Sequence, residues 1–189
     1  MTQRRDAPWL ALGLLTAIAT VGFIDRIVMN VLAVPVQAEF HITDTQVGLL
    51  TGLAFALLNV TLGIAVARYA ERGRRIPLIA VGALLWSLAT AACGFVANFG
   101  QLLLARVGVG VGEAVGLPAN QSVIADCFPP EKRATAVSVF LLAPPIGAFI
   151  GAAGGGWVGQ ELGWRSAFLI ATVPGALLAI ATWALIAEP

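Results

Sequence analysis

Six apolar stretches, each longer than twenty residues and parted by short polar loops, leave this chain few ways to fold. They run near 9–36, 46–70, 77–98, 100–126, 133–158 and 165–187. A helix needs about 20 apolar residues to cross roughly 30 Å of hydrocarbon. A bilayer offers backbone groups no water, so helices are the default. The expected fold is an all-α membrane protein, one bundle of six transmembrane helices over residues 1–189. The first stretch is long enough to tilt or to emerge at one face. It is too long for the apolar core of a cleavable signal peptide, and it carries Asp25-Arg26. Composition agrees, since 11% of the residues are charged and 59% are hydrophobic, whereas a soluble domain carries about 25% charge.

The basic residues are sorted by side. Arg4 and Arg5 precede the first span, Arg68, Arg72, Arg74 and Arg75 lie between spans two and three, and Lys132 and Arg133 lie between four and five. If six helices alternate, all of these share one face. The other face has Arg165, with Glu39, Asp44 and Glu161. The excess of basic residues marks the cytoplasmic face, which places the N-terminus there. The arginines form one short loop without interleaved aromatics, which speaks against nucleic acid as a partner. The lone His41 sits in an outer loop beside Asp44 and reads as solvated. Cys93 and Cys127 fall near opposite membrane faces, so neither a disulfide nor a metal site is expected.

Local signals punctuate the spans. Thr43 or Asp44 is placed to cap the second helix. Pro129-Pro130 ends the fourth span and opens the fifth. Ala143-Pro144-Pro145 lies inside span five and should kink it. Gly147, Gly151, Gly154, Gly155, Gly156 and Gly159 make a thin helix face for close packing. The ends of spans two (67–75) and five (156–165) place small, acidic or amide, and basic residues at similar offsets. They fall on opposite membrane sides, which points to two three-helix units of inverted topology.

Four charges stand where the bilayer interior should be: Asp25, Arg26, Arg106 and Glu113. Each costs roughly 2.5–3.5 kcal/mol on insertion scales. Such residues face a protein interior or a watery cavity, where they carry ions, protons or solute; otherwise they form a purely structural internal ion pair. Arg106, Glu113 and Asn120 recur at intervals of seven, nearly two turns, and so make one stripe at about 10 Å per step. A polar seam between helices is the plainer reading, but arginine and glutamate are costly choices for a seam. Asp25 and Arg26 point about 100° apart, so they should not both face one partner: one reaches span four and the other the cavity. Glu113 is the better proton carrier, because an arginine that withdraws from it in one conformation would change its proton affinity. At the cytoplasmic face, Glu71 is placed to pair with Arg72, Arg75 or Lys132. Asp126 can join that cluster, so the network can latch one state closed or merely set topology. No His-Glu-x-x-His, Gly-x-Ser-x-Gly or P-loop is present, and Ser122 and Ser138 have no histidine in reach; no enzyme is expected.

These residues resemble the major facilitator superfamily. Ala67 to Arg75, with Glu71 and Arg72, resembles its loop motif between the second and third helices; Glu71 stands for the usual Asp, Ala67 for Gly, and Arg74 for a later Gly. Arg106-Val-Gly-Val-Gly-Val-Gly-Glu113 resembles the fourth-helix motif. Pro118, Asp126, Pro130 and Arg133 resemble the exit of that helix. Ala143-Pro-Pro-Ile-Gly147 is loosely similar to the fifth-helix motif of antiporters. The resemblance is closest to the spinster-like branch, through Phe23-Ile-Asp25-Arg26, Gly110-Val-Gly-Glu113, Phe128 to Ala134, and Leu162-Gly-Trp-Arg165-Ser-Ala-Phe168.

What the resemblance implies is a twelve-helix transporter in two halves, of which this chain matches the first. A second six-helix bundle is then the expected partner. Asp25, Arg26, Arg106, Glu113 and Asn120 become the proton-coupling and solute-facing set. Glu71, Arg72, Arg75, Asp126 and Arg133 become the cytoplasmic gating motif. The expected function is proton-driven transport of a small organic or amphiphilic, lipid-like solute by alternating access, with no cofactor besides the proton. The expected place is a bacterial inner membrane. The rival is a scaffold or partner-binding half-bundle that transports nothing. A channel is disfavoured, because no ring of carbonyls or acids is suggested.

Overall fold

A computed structural model describes residues 8–52, 60–61 and 74–188, the side chain of Leu117 excepted. The described residues are helical throughout, joined by short turns. The helices are α1 (Pro8–Val31), α2 (Ala33–Phe40), α3 (Asp44–Thr51), α4 (Arg75–Cys93), α5 (Phe99–Glu113), α6 (Gly116–Cys127), α7 (Pro130–Phe140), α8 (Ala143–Glu161) and α9 (Trp164–Leu185). Among the described residues, five segments are long and apolar enough to cross a membrane: Pro8–Val31, Arg75–Cys93, Phe99–Cys127, Pro130–Glu161 and Trp164–Leu185. The expected all-α membrane fold is therefore present. Most of the second span, with Arg68, Glu71 and Arg72, lies outside the described residues.

Proline chemistry explains where spans break. The first span divides at Leu32, because Pro35 cannot donate to the Val31 carbonyl, and α2 resumes with Val36 N–H on Leu32 O at 3.1 Å. The fourth span was expected to be continuous; it breaks at Ala114–Val115. Pro118 removes the donor that Ala114 O would use, and Ala119 N–H reaches Val115 O only at 3.4 Å. The fifth span breaks at Leu141–Leu142, where the kink was expected, since Pro144 and Pro145 withhold donors from Phe140 and Leu141. The second span starts with a capping box. Thr43 Oγ1 accepts from Gln46 N–H, and Gln46 Oε1 accepts from Thr43 N–H at 2.9 Å.

Small residues let helices approach closely. Gly147, Gly151, Gly155 and Gly159 face α1. A side-chain carbon at Gly147 would lie 2.6 Å from both Phe23 Cβ and Thr20 O, and one at Gly151 2.9 Å from Ile27 Cβ. Gly154 and Gly156, which the expected glycine face included, pack less tightly: Gly154 meets nothing within 4 Å, and Gly156 reaches α1 only at Val31, at an ordinary 3.6 Å. Gly82 and Gly112 seat α4 on α5 in the same way, Gly112 lying 2.6 Å from Trp86 N by the same measure. The interior holds two apolar clusters. One gathers Leu12, Leu15, Ile79, Ile124, Phe140 and Ile186. The other gathers Met29, Val36, Leu50, Leu102, Trp164 and Phe168. Cys93 belongs to the second cluster and Cys127 packs on the first, so the two free thiols are well apart. His41 is exposed, in a left-handed conformation (φ 51°) that ends α2.

Candidate functional site

The mid-depth charges converge from α1 and α5. Arg106 Nη1 donates to Asp25 Oδ2 at 3.1 Å, and Thr90 on α4 donates to Asp25 Oδ1 at 3.0 Å. Both charged side chains are 3% exposed. Arg26 Nε donates to Glu113 Oε2 at 2.6 Å, across side chains 41% and 4% exposed. Sequence reasoning expected Asp25 and Arg26 to part company, one toward span four and one toward a cavity. Both reach α5, and Arg26 also lines a cleft. On α5, Arg106 and Glu113 are seven residues apart, so the two ends of a step of about 10 Å accept the two diverging side chains. Glu113 pairs with Arg26 on the neighbouring helix rather than with Arg106 on its own.

Buried ion pairs seldom add stability, because desolvation offsets their attraction. Two of them join the same two helices here, one with both side chains buried and one with its arginine partly exposed.

The wet side of this layer is a cleft of about 330 Å³. Arg26, Glu113, Asn120 and Gln121 supply its polar groups. Ile18, Phe23, Trp86, Phe140, Leu141 and Pro144 supply apolar walls. Two helix breaks therefore open onto it: Gly116 follows the α5–α6 break, and Leu141 and Ala143 flank the α7–α8 break. Asn120 was expected on one continuous stripe with Arg106 and Glu113. It lies beyond the break, on α6, yet the cleft still brings it to Glu113. Sequence reasoning missed Trp86, Gln121 and Thr90, which carry no charge to mark them among apolar neighbours.

Each end of the bundle has its own polar cluster. Arg75 Nη1 donates to Asp126 at 2.5 Å and to Ser122 at 2.8 Å. Its Nε donates to Glu188 at 3.1 Å, and the two Glu188 oxygens accept from the N–H groups of Arg75 and Ile76, each at 2.9 Å. Glu188 thus caps the first turn of α4, a favoured place for an anion. It was not anticipated; an acid among apolar residues at the end of the last span was the available signal. Arg133 stands apart from this cluster and holds the turn before α7, donating to Phe128 O at 3.0 Å.

At the opposite end, Glu39 on α2 accepts from Trp164 Nε1 at 2.6 Å and pairs with Arg165 at 2.7 Å. Arg165 also donates to Val96 O at 3.0 Å and stacks over the Trp164 ring at 4.2 Å. These contacts hold the Glu39 carboxyl below the usual carboxylate range, the Trp164 hydrogen bond first and Arg165 second.

The sequence and the all-helical fold have counterparts among known proteins. The family model of the Major Facilitator Superfamily matches residues 14–189. An MFS-type efflux pump of Mycolicibacterium smegmatis is 37% identical, over 90% of this chain and 40% of the pump. A probable sphingolipid transporter, spinster homolog 1 of Arabidopsis thaliana, is 33% identical over 77% of this chain and 29% of its own length. The crystal structure of a bacterial homolog to the human lysosomal transporter spinster, inward-facing and unoccupied, superposes with a TM-score of 0.85 at 35% identity. It covers 100% of this chain and 44% of the other. The chain spans less than half the length of these relatives, which are transporters and not enzymes. With the match extending over nearly its whole length, this chain belongs to the major facilitator superfamily, on its spinster-like side.

Proposed function

We propose that this chain acts as the N-terminal bundle of a proton-coupled secondary transporter for a small organic or amphiphilic, lipid-like solute, working by alternating access with a second six-helix bundle. The observation that carries the reading is the pair of ion bridges between α1 and α5: Asp25–Arg106, buried, and Arg26–Glu113, which lines a cleft with apolar walls. A cleft with apolar walls and one polar floor suits a solute with a head and a tail. The sphingolipid transporter among the relatives supports the same solute class.

In this reading Asp25, Arg26, Arg106, Glu113 and Asn120 face the coupling proton and the solute. Glu113 carries the proton. Its guanidinium partner lies on another helix and is partly solvated, so rocking α1 against α5 would lengthen that pair and expose the carboxylate to an incoming proton. Asp25, gripped by both Thr90 and Arg106, stays in place and holds the helices in register. Arg75 and Asp126 serve the cytoplasmic gate, to which the sequence assigns Glu71 and Arg72 as well, while Arg133 braces the turn before α7 beside it. The basic loops put the N-terminus in the cytoplasm of a bacterial inner membrane.

The test is uptake of radiolabelled amphiphiles and organic anions into proteoliposomes that hold the complete transporter. Accumulation should follow an imposed pH gradient and vanish when a protonophore collapses it. Accumulation that ignores the gradient would refute proton coupling. Absence of any flux, with the protein shown to be folded, would refute transport.

A further inference from the structure

We infer that the Asn120 carboxamide is a specificity-determining contact for a hydroxylated head group of the solute. The inference rests on the reading of the cleft as the solute's path. Asn120 is 1% exposed and lines the cleft, and its carboxamide oxygen has no hydrogen-bond partner among the described residues. A buried polar group left without a partner is destabilising. A leucine there would fill the same space at no such cost, so the position makes physical sense if something entering the cleft completes it.

Three neighbouring features say what enters. Gly116, also on the cleft, leaves the approach open: a side-chain carbon there would stand 4.0 Å from Asn120 Nδ2. Phe140 and Leu141, which also line the cleft, have carbonyls whose helical donors would be residues 144 and 145, both prolines without an N–H. The residues that line the cleft therefore include carbonyls without their usual helical donors. The third feature is Arg26, whose guanidinium also lines the cleft and is 41% exposed. That guanidinium is already matched by the Glu113 carboxylate at 2.6 Å, so the polar end of the cleft carries little net charge, and an ammonium or an anion would shed its water there without a counter-charge. Hydroxyl groups fit. They donate to the carboxamide oxygen and accept from its NH₂, which matches the two faces of an amide. The solute end that reaches Asn120 is thus a neutral head group bearing hydroxyls, with its tail against Phe23, Leu141 and Pro144.

The test uses the complete transporter in lipid nanodiscs and two probes: 1-monolauroylglycerol and its 2,3-di-O-methyl ether, which keeps the tail and the ester but has no hydroxyl donor. Calorimetric titration, corrected with empty discs, should show the glycerol binding at least roughly tenfold tighter than the ether, because an unmet buried amide opposes the ether. In Asn120→Leu the two probes should bind within about twofold of each other, the ether gaining or holding its affinity. Asn120→Leu should also melt no lower than the wild type, since it removes an unsatisfied group; a lower melting temperature would assign Asn120 a structural role and overturn the inference. Gly116→Leu should abolish binding of both probes, and retained preference in that variant would place the discrimination elsewhere and overturn it too. Equal binding of the two probes by the wild type, lost in Gly116→Leu, would overturn the role of Asn120 and leave the cleft as a solute site. Binding of neither probe by folded wild-type protein would refute the cleft reading and the inference with it.

Discussion

The two ion pairs between α1 and α5 differ in one respect that can be weighed. In Arg26–Glu113 the guanidinium is 41% exposed and the carboxylate 4% exposed. Removing the cation strands a buried anion, and losing one partner of a buried pair costs about 3–5 kcal/mol. Arg26→Met should therefore destabilise by about 3 kcal/mol, the lower end, because the arginine itself is half in water. Glu113→Gln strands only a group that water can reach. Its cost should be near that of an exposed pair, about 1 kcal/mol or less. The double variant should recover most of the loss, giving a coupling energy of about 2 kcal/mol. The assay is equilibrium unfolding in mixed micelles at one fixed pH for all variants, read by circular dichroism. Equal costs for the two single variants, or a larger cost for Glu113→Gln, would refute the argument from exposure.

Other features give equally direct expectations. Gly112→Ala forces a carbon to 2.6 Å from Trp86 N and 2.7 Å from Gly82 O; it should cost about 2 kcal/mol or more, whereas Gly154→Ala, which meets nothing within 4 Å, should be near neutral in the same unfolding experiment. Glu188→Ala should speed hydrogen exchange at the Arg75 and Ile76 amides by about fivefold, the factor for a lost cap of about 1 kcal/mol; unchanged exchange would mean the cap is idle. The lowered proton affinity of Glu39 has a definite sign. Its brace to Trp164 and Arg165 contributes fully above the usual carboxylate pKa and is lost as pH falls below that range through the depressed folded value. The Trp164 indole N–H resonance should hold steady from pH 8 to 5 and shift only on further acidification. A shift above pH 5 would contradict the assignment.

Much of this architecture can be read from the chain, for reasons that particular residues make plain. A bilayer forces whole helices from apolar runs, and Thr43 with Gln46, or Pro144 with Pro145, announce starts and breaks through local chemistry. Asp25, Arg26, Arg106 and Glu113 were conspicuous because charge among leucines and glycines is expensive. Their pairing was not legible. Arg26 and Glu113 are 87 positions apart, and which of two diverging side chains reaches a partner depends on how α1 lies against α5. The break at Ala114 was missed although Pro118 signalled it, because the glycine-rich run on either side reads as one span. Glu39 was placed on the right side, but its bond to Trp164 depends on α2 turning back toward α9 after Leu32. Glu71 and Arg72, expected from the sequence to belong to a gate, lie outside the described residues, so the Arg75–Asp126–Glu188 cluster represents that end of the bundle.

The proton-carrying role of Glu113 is the central claim, and one comparison tests it most directly. Glu113→Gln and Asp25→Asn each keep shape while removing one charge. In proteoliposomes holding the complete transporter, uptake of the same solute is followed with a pH gradient and, separately, as exchange at equal pH. Glu113→Gln should lose gradient-driven accumulation yet retain exchange. Asp25→Asn should weaken both processes together, since it loosens the grip of α1 on Arg106 and Thr90. Normal gradient-driven accumulation by Glu113→Gln, with its loss in Asp25→Asn, would contradict the account and assign the proton to the other carboxylate.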